Sequence, residues 1–227
     1  MPLELITISF RKQVKECPGT VSFYFDKPEG YAYLAGQQAS MVLGESLRET
    51  ELVRPMSFSS HPQDDFLRFT MHVDSGSVFK RKLLGLTSGD SIRITPPRGQ
   101  FTWSDDSAGR VYWLAGGVGI TPFASMLRGL GEAERARVAL YHIAREYFPL
   151  EADYVERLET YKQANFTEME SDLRASKERL ASGGGRFYIS GSPKFVEAVE
   201  EILLDIGVAG ERIVLDTFKG YEELLNS

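Results

Sequence analysis

Two hydrophobic periodicities divide this chain of 227 residues. Up to about residue 103, apolar and polar positions alternate in short runs broken by turn residues, as in strands with one buried face. Residues 3–14, 20–26, 38–43, 53–59, 66–73 and 91–96 read as strands, with turns at Cys17-Pro-Gly19, Lys27-Pro-Glu-Gly30 and Ser88-Gly-Asp90. One helix interrupts them at 77–86, where Phe79, Leu83 and Leu86 share a face. Many short strands at this spacing predict an antiparallel β-barrel. Around Trp103–Gly109 the pattern changes to strand–helix units. Strands are predicted at 110–115, 137–142, 186–190 and 212–216, and helices at 121–130, 151–163 and 193–206. Residues 165–182 add a strand or loop and a charged helix over 170–180. Such alternation predicts a doubly wound parallel α/β sheet. The chain therefore divides into two domains, residues 1–104 and 105–227, and ligands of the second are expected beyond the carboxyl ends of its strands.

One such end is Leu114-Ala-Gly-Gly-Val-Gly-Ile-Thr-Pro122. Thr121 suits the N-cap of the following helix, where a hydroxyl accepts an unpaired backbone N–H. Pro122 suits N1, where its missing N–H costs nothing. Gly116, Gly117 and Gly119 leave the turn without side chains, so a ligand can reach the backbone. A glycine turn that opens a helix is a site for phosphate. The dinucleotide fingerprint G-x-G-x-x-G is not met, because Pro122 stands where its third glycine would be. An ordinary strand-to-helix turn is the competing reading. A second such end is Arg186-Phe-Tyr-Ile-Ser-Gly-Ser-Pro193.

Hydrophobic content of 42% and charged content of 26% are ordinary for a globular chain. A formal net charge of −6 lacks the basic footprint of a nucleic-acid binder. The single cysteine, Cys17, excludes an intrachain disulfide and any cysteine-ligated zinc or iron–sulfur centre within this chain. No metal site is expected, and His61 and His72 are given no chemical role. The first residues lack a basic segment before an apolar core, and no apolar run approaches the ~18 residues of a membrane span. A cytoplasmic protein with no membrane span is the expectation.

Arg54-Pro-Met-Ser-Phe-Ser-Ser60 sets a guanidinium and three hydroxyls along one short strand. Arg54 suits a phosphate or carboxylate, and Ser57 or Ser59 a polar ring edge; a solvated surface arginine is the alternative. Taken in order, Arg54-x-x-Ser57 with Ser60, a short helix before Gly89-Asp90, Pro97-Arg-Gly-Gln-Phe101 and Gly116-Gly-Val-Gly-Ile-Thr-Pro122 resemble the ferredoxin–NADP⁺ reductase superfamily. There a flavin-binding β-barrel precedes a nicotinamide-nucleotide domain. The resemblance covers the chain from its first strand to Tyr221.

The resemblance implies that Arg54 binds the flavin phosphate or pyrophosphate and that Pro55 and Met56 belong to the flavin site. Ser57 would sit near flavin N5. Met56 departs from the family's tyrosine; a thioether packs on an aromatic face but lacks the phenol's hydrogen bond. Met71 and Val73 would pass the far side of the cofactor by their backbone. Gly76, Ser77 and Val78, with Lys80 as a second cation, would meet a pyrophosphate, which favours FAD over FMN. Ser190 replaces a cysteine beside the nicotinamide, with Gly191 and Pro193 kept. Arg145 would pair with the 2′-phosphate of NADP. Asp216 and Phe218 match a carboxylate and an aromatic that return to the flavin, with Tyr221 a rival for the stacking role.

The implied activity is a flavin-dependent NAD(P)H oxidoreductase, with Ser57, Ser190, Asp216 and Phe218 at the reacting centre. Electrons would pass from NAD(P)H through FAD to a separate carrier: ferredoxin, flavodoxin or an oxygenase component. The protein would act as a monomer. The alternatives are a reductase of free flavins or quinones, a non-catalytic flavin-binding regulatory or electron-transfer subunit, and a two-domain protein with no cofactor.

Overall fold

A computed structural model describes residues 4–104 and 109–218. The first sheet has six antiparallel strands: β1 (Ile6–Cys17), β2 (Thr20–Asp26), β3 (Gln38–Val42), β4 (Val53–Ser57), β5 (Phe66–His72) and β6 (Ser91–Ile94). Their order is β4-β3-β6-β1-β2-β5. Register shifts in β1 after Phe10 and Lys15 bend this long strand. Just past β4, Ser59 N donates to Arg68 O of β5 at 2.8 Å, drawing the two ends of the sheet together into a barrel. Phe23, Phe25, Phe58 and Phe69 fill the interior with no exposure. The helix α1 (Val78–Leu84) plugs it with Phe79 and Leu83, and the Ser77 side chain caps α1 by accepting Lys80 N.

The second sheet is parallel. It contains β7 (Val111–Gly116), β8 (Val138–Ile143), β9 (Thr160–Ala164), β10 (Arg186–Gly191) and β11 (Ile213–Thr217), in the order β11-β10-β7-β8-β9. Around it lie α2 (Ile120–Leu127), α3 (Glu132–Arg137), α4 (Ala152–Val155), α5 (Phe166–Ala175), α6 (Lys177–Ser182) and α7 (Pro193–Asp205). Both faces are covered. Trp113 packs with Phe123 and Leu127 on one side, and Leu114 with Val196, Val199 and Leu203 on the other. This explains why β7 is apolar without alternation. The chain runs outward from β7 to β9, then returns to β10 on the other side of β7. That reversal opens a crevice beyond the carboxyl ends of β7 and β10, where open α/β sheets bind ligands.

An antiparallel barrel followed by a doubly wound sheet is the architecture the periodicity predicts. The predicted helix over 151–163 is absent. Its place is taken by the single turn α4 and by β9, which pairs in parallel with β8. Leu150, Tyr154 and Leu158 do stand at helical spacing, but sheet pairing through Thr160 and Tyr161 overrides it. Residues 165–182 form two helices, α5 and α6, rather than a strand or loop and one helix over 170–180. An Asn165–Glu168 capping box starts the first, and the chain breaks at Ser176. The short α3 was not predicted. Among the described residues, no helix is long and apolar enough to cross a membrane.

Candidate functional site

Ser57 ends β4, and on β3 its register partner is Gln38. Ser190 on β10 and Asp216 on β11 are register partners in the other sheet. The packing of the two sheets brings all three together. Ser190 Oγ donates to Asp216 Oδ2 at 2.9 Å, and Ser57 Oγ donates to the same oxygen at a longer 3.4 Å. Asp216 is 9% exposed, and both serines are buried. Burial pushes its carboxyl up to about 6 while the two hydroxyls pull the other way. The result is a buried acid that titrates close to neutrality, in contact with two hydroxyls.

In front of this cluster lies a cleft of about 400 Å³ between the domains. Arg54 and Lys80 both line it. The Arg54 guanidinium donates to the carbonyls of Thr50 and Val53 at 3.0 and 2.6 Å and lies 5.5 Å over the Phe79 ring. Burial lowers the Lys80 pKa, opposed by Asp74 and reinforced by Arg54. Pro55, Met56, Met71, Phe79, Val118 and Phe218 give apolar walls. Ser57, Thr70, Thr121 and Thr217 supply hydroxyls along it. Val73 packs against the barrel core rather than into this cleft, and Gly76, Ser77 and Val78 stand at the N-terminus of α1 outside its lining.

The glycine turn is one turn of 3-10 helix, Gly117–Gly119, running into α2. Thr121 therefore does not cap: the N-cap lies two residues earlier, at Gly119, and the Thr121 hydroxyl donates backwards to Val118 O at 2.9 Å. Pro122 is the third helical residue rather than the first, still within the turn whose N–H groups lack helical partners. It is buried in α2 and does not line the cleft described above. Gly117 has φ +56, the left-handed region that glycine tolerates. Its carbonyl accepts a 2.9 Å hydrogen bond from His142 Nε2. Burial takes His142 down to about 4, so the ring is neutral at pH 7, and its Nδ1 has no partner among the described residues.

Two further cavities adjoin the turn. Gly116, Gly117, Ser192, Phe195 and Phe218 line one of them. Gly191 closes this region from β10, its carbonyl accepting Phe218 N at 2.9 Å. Arg145 is exposed and lines the other, of about 610 Å³, with Gly117, Asp74 and Phe148. His72, which the sequence marked for nothing, lines all three spaces and hydrogen-bonds Thr20 Oγ1 at 2.8 Å. Gln38 and Arg98 were also missed. Arg98 lay inside the Pro97–Phe101 motif, whereas nothing near Gln38 signals a site. Tyr221 lies outside the described residues.

This donor set fits a flat heteroaromatic ring with an anionic tail. The walls are apolar, the strand residues Arg54 and Ser57 stand three positions apart along β4, and hydroxyls rather than metal-ligand clusters surround the ring-sized space. Among the described residues no group of three or more His, Cys, Asp or Glu could hold a metal ion.

No protein-family model matches the chain. It is 29% identical over 231 residues to the flavohemoprotein of Bacillus subtilis (strain 168), covering 91% of this chain and 57% of that protein. It is 30% identical over 207 residues to the xylene/toluene monooxygenase electron transfer component XylA of Pseudomonas putida, covering 82% and 58% respectively. The chain thus spans a little over half the length of these relatives. A ferredoxin NADP⁺ reductase from Neisseria gonorrhoeae, solved with bound FAD and NADP, superposes with a TM-score of 0.73 at 21% identity. That alignment covers 95% of this chain and 99% of the other. With its antiparallel barrel, its doubly wound sheet and a crevice between them, the chain has the fold of the ferredoxin–NADP⁺ reductase superfamily.

Proposed function

We propose that this chain is a reductase module that takes a hydride from NAD(P)H and passes electrons through FAD to an electron-carrier or oxygenase partner. The observation that carries the reading is the convergence of Ser57, Ser190 and Asp216 from two sheets onto one buried oxygen at the switch-point crevice. The similarity to a monooxygenase electron transfer component supports an acceptor that is itself a protein. A ferredoxin, a flavodoxin or an oxygenase component fits that role. In this reading residues 1–104 hold the flavin and residues 105–227 the nucleotide.

The flavin supplies the redox chemistry, exchanging a two-electron donor for one-electron acceptors. The chain's own residues supply binding, order and proton control. Arg54 and Lys80 hold the phosphate end through charge-assisted hydrogen bonds. Met56, Met71, Phe79 and Phe218 exclude water from the ring and so strengthen every polar contact made there. The Ser57 hydroxyl faces the cleft, and Asp216 behind it fixes where that hydroxyl points. With a carboxyl near 6, Asp216 can hold or release a proton at Oδ2 in the neutral range. Phe218 guards the space between the glycine turn and the cleft, so it sits where a nicotinamide must enter.

Purified protein loaded with FAD is expected to show flavin absorption bands that bleach within seconds of anaerobic NADPH or NADH addition. Bands that persist with both nucleotides would sink the proposal and favour a non-catalytic flavin-binding subunit. Rapid turnover of free flavins or quinones without any protein partner would instead identify the small-molecule reductase. Ser57→Ala should lower the limiting rate of flavin reduction roughly 10–100-fold, with nucleotide affinity changed far less. Stopped-flow reduction at wild-type speed would remove Ser57 from the mechanism.

A further inference from the structure

Leu150 and Glu151, at φ +36 and +55, are the non-glycine residues with left-handed backbone among the described residues. Such a pair persists only where its surroundings over-determine it. The surroundings are ionic. The Glu151 side chain is 12% exposed and accepts a hydrogen bond from Arg68 of β5, in the barrel. Its other oxygen lies 3.7 Å from Arg128, which caps α2 in the second domain. Arg128 then grips Asp64 of the β4–β5 connection through both carboxylate oxygens, at 2.6 and 2.7 Å. Charges thus alternate through Arg68, Glu151, Arg128 and Asp64, and the chain of contacts crosses between the domains at its first and last steps. Arg68 also donates to Ser59 Oγ at 3.2 Å, two residues beyond Ser57.

The segment that ends at Glu151 faces the nucleotide side. It carries Arg145 and then Phe148, whose ring packs edge-on against His142 at 4.9 Å and His72 at 6.3 Å. His142 in turn holds the Gly117 carbonyl. One carboxylate therefore joins the flavin strand, through Arg68 and Ser59, to the glycine turn, through Phe148 and His142. A buried ion pair seldom adds more stability than an apolar pair of the same shape; what it fixes is relative geometry.

We propose that Glu151 is a positioning residue: clamped between Arg68 and Arg128, it sets the nucleotide-side loop 144–150 against the flavin barrel and thereby aligns the two cofactors. This rests on the reductase reading above. The test uses FAD-loaded protein, wild type and Glu151→Gln, with three measurements. These are the limiting rate of flavin reduction at saturating NADPH or NADH, the nucleotide dissociation constant, and amide hydrogen exchange over 144–151. The Gln variant is expected to lose 10- to 100-fold in limiting rate and less than threefold in nucleotide affinity. Reduction by dithionite should be unchanged, and exchange over 144–151 should accelerate at least tenfold. Arg68→Met combined with Glu151→Gln removes both charges and the Arg68–Ser59 link as well, so it should lose at least as much limiting rate as the single variant; with no unpaired arginine left at position 68, it also serves if the single variant folds poorly. Faster exchange with a limiting rate within twofold of wild type would overturn the alignment role, leaving a structural tie. Unchanged exchange would overturn the tie itself. A wild-type protein reduced by neither nucleotide would instead overturn the reductase reading.

Discussion

Gly119→Ala is expected to yield little folded protein, and any that folds should melt at least 10 °C below wild type. Its backbone is ordinary, at φ −59 and ψ −9, so the cost is not conformational. A Cβ there would stand 2.1 Å from the Ser190 carbonyl oxygen, 2.6 Å from its carbon and 3.0 Å from Gly191 Cα. All three atoms are backbone, at the end of a buried strand, so no side chain can swing away. Overpacking a core usually costs about 1–3 kcal/mol because side chains and backbone share the adjustment. Here only the backbone can move, and moving it separates the glycine turn from β10. Gly117→Ala provides the contrast. Its φ of +56 costs an alanine about 1–2 kcal/mol, and the nearest atom is the tip of His72, at 3.3 Å. That variant should fold. Thermal melts of both proteins decide the matter, and a Gly119→Ala melt within a few degrees of wild type would refute the close approach.

Asp216→Asn should do the opposite to stability while damaging the chemistry. The folded carboxyl titrates near 6, above its ordinary 3.8. Between those values the folded chain keeps a proton that the unfolded chain has lost. Stability therefore falls as pH rises through that window, and the full cost is present above pH 6. At about 1.36 kcal/mol per pH unit the gap corresponds to roughly 3 kcal/mol. Asparagine carries no charge to bury, and its amide oxygen can still accept from Ser190. At pH 8 the variant should melt several degrees higher than wild type, given about 2–4 °C per kcal/mol for a chain of this size. Below pH 4 the advantage should vanish. The same variant should lose tenfold or more in limiting flavin-reduction rate, because it cannot exchange a proton at Oδ2. A melting difference that does not depend on pH would show that Asp216 is not the buried acid described above.

The barrel strands were legible because alternation has a period that no helix shares, and the glycine turn because strand, glycines and helix follow in sequence. The region after β8 was not. Leu150, Tyr154 and Leu158 carry a helical spacing, while the left-handed turn at Glu151 and the pairing of β9 with β8 arise from partners elsewhere in the chain. Thr121 shows a finer limit. Residue type suggested a cap, but the 3-10 turn over Gly117–Gly119 moves the cap back by two residues, to Gly119. Charge pairing was beyond reading altogether: Arg68 and Glu151 are 83 positions apart, and nothing local announces either as the other's partner. Ser57 drew attention through the run of hydroxyls after Arg54, whereas Ser190 and Asp216 were singled out only through their likeness to a family, since each alone reads as an ordinary strand residue.

The oxygen shared by Ser57 and Asp216 ties together residues 159 positions apart, with the carboxylate on the last described strand. During synthesis the barrel emerges long before β11 exists to dock against it. A half-made copy can therefore complete the flavin-side wall but not the acid behind it. Pairings this distant in sequence also form late in refolding, since the entropy of closing so large a loop must be met first. In the proposed reading, proton control at Asp216 therefore arises only once β11 has docked, and a nascent chain does not acquire it piecemeal.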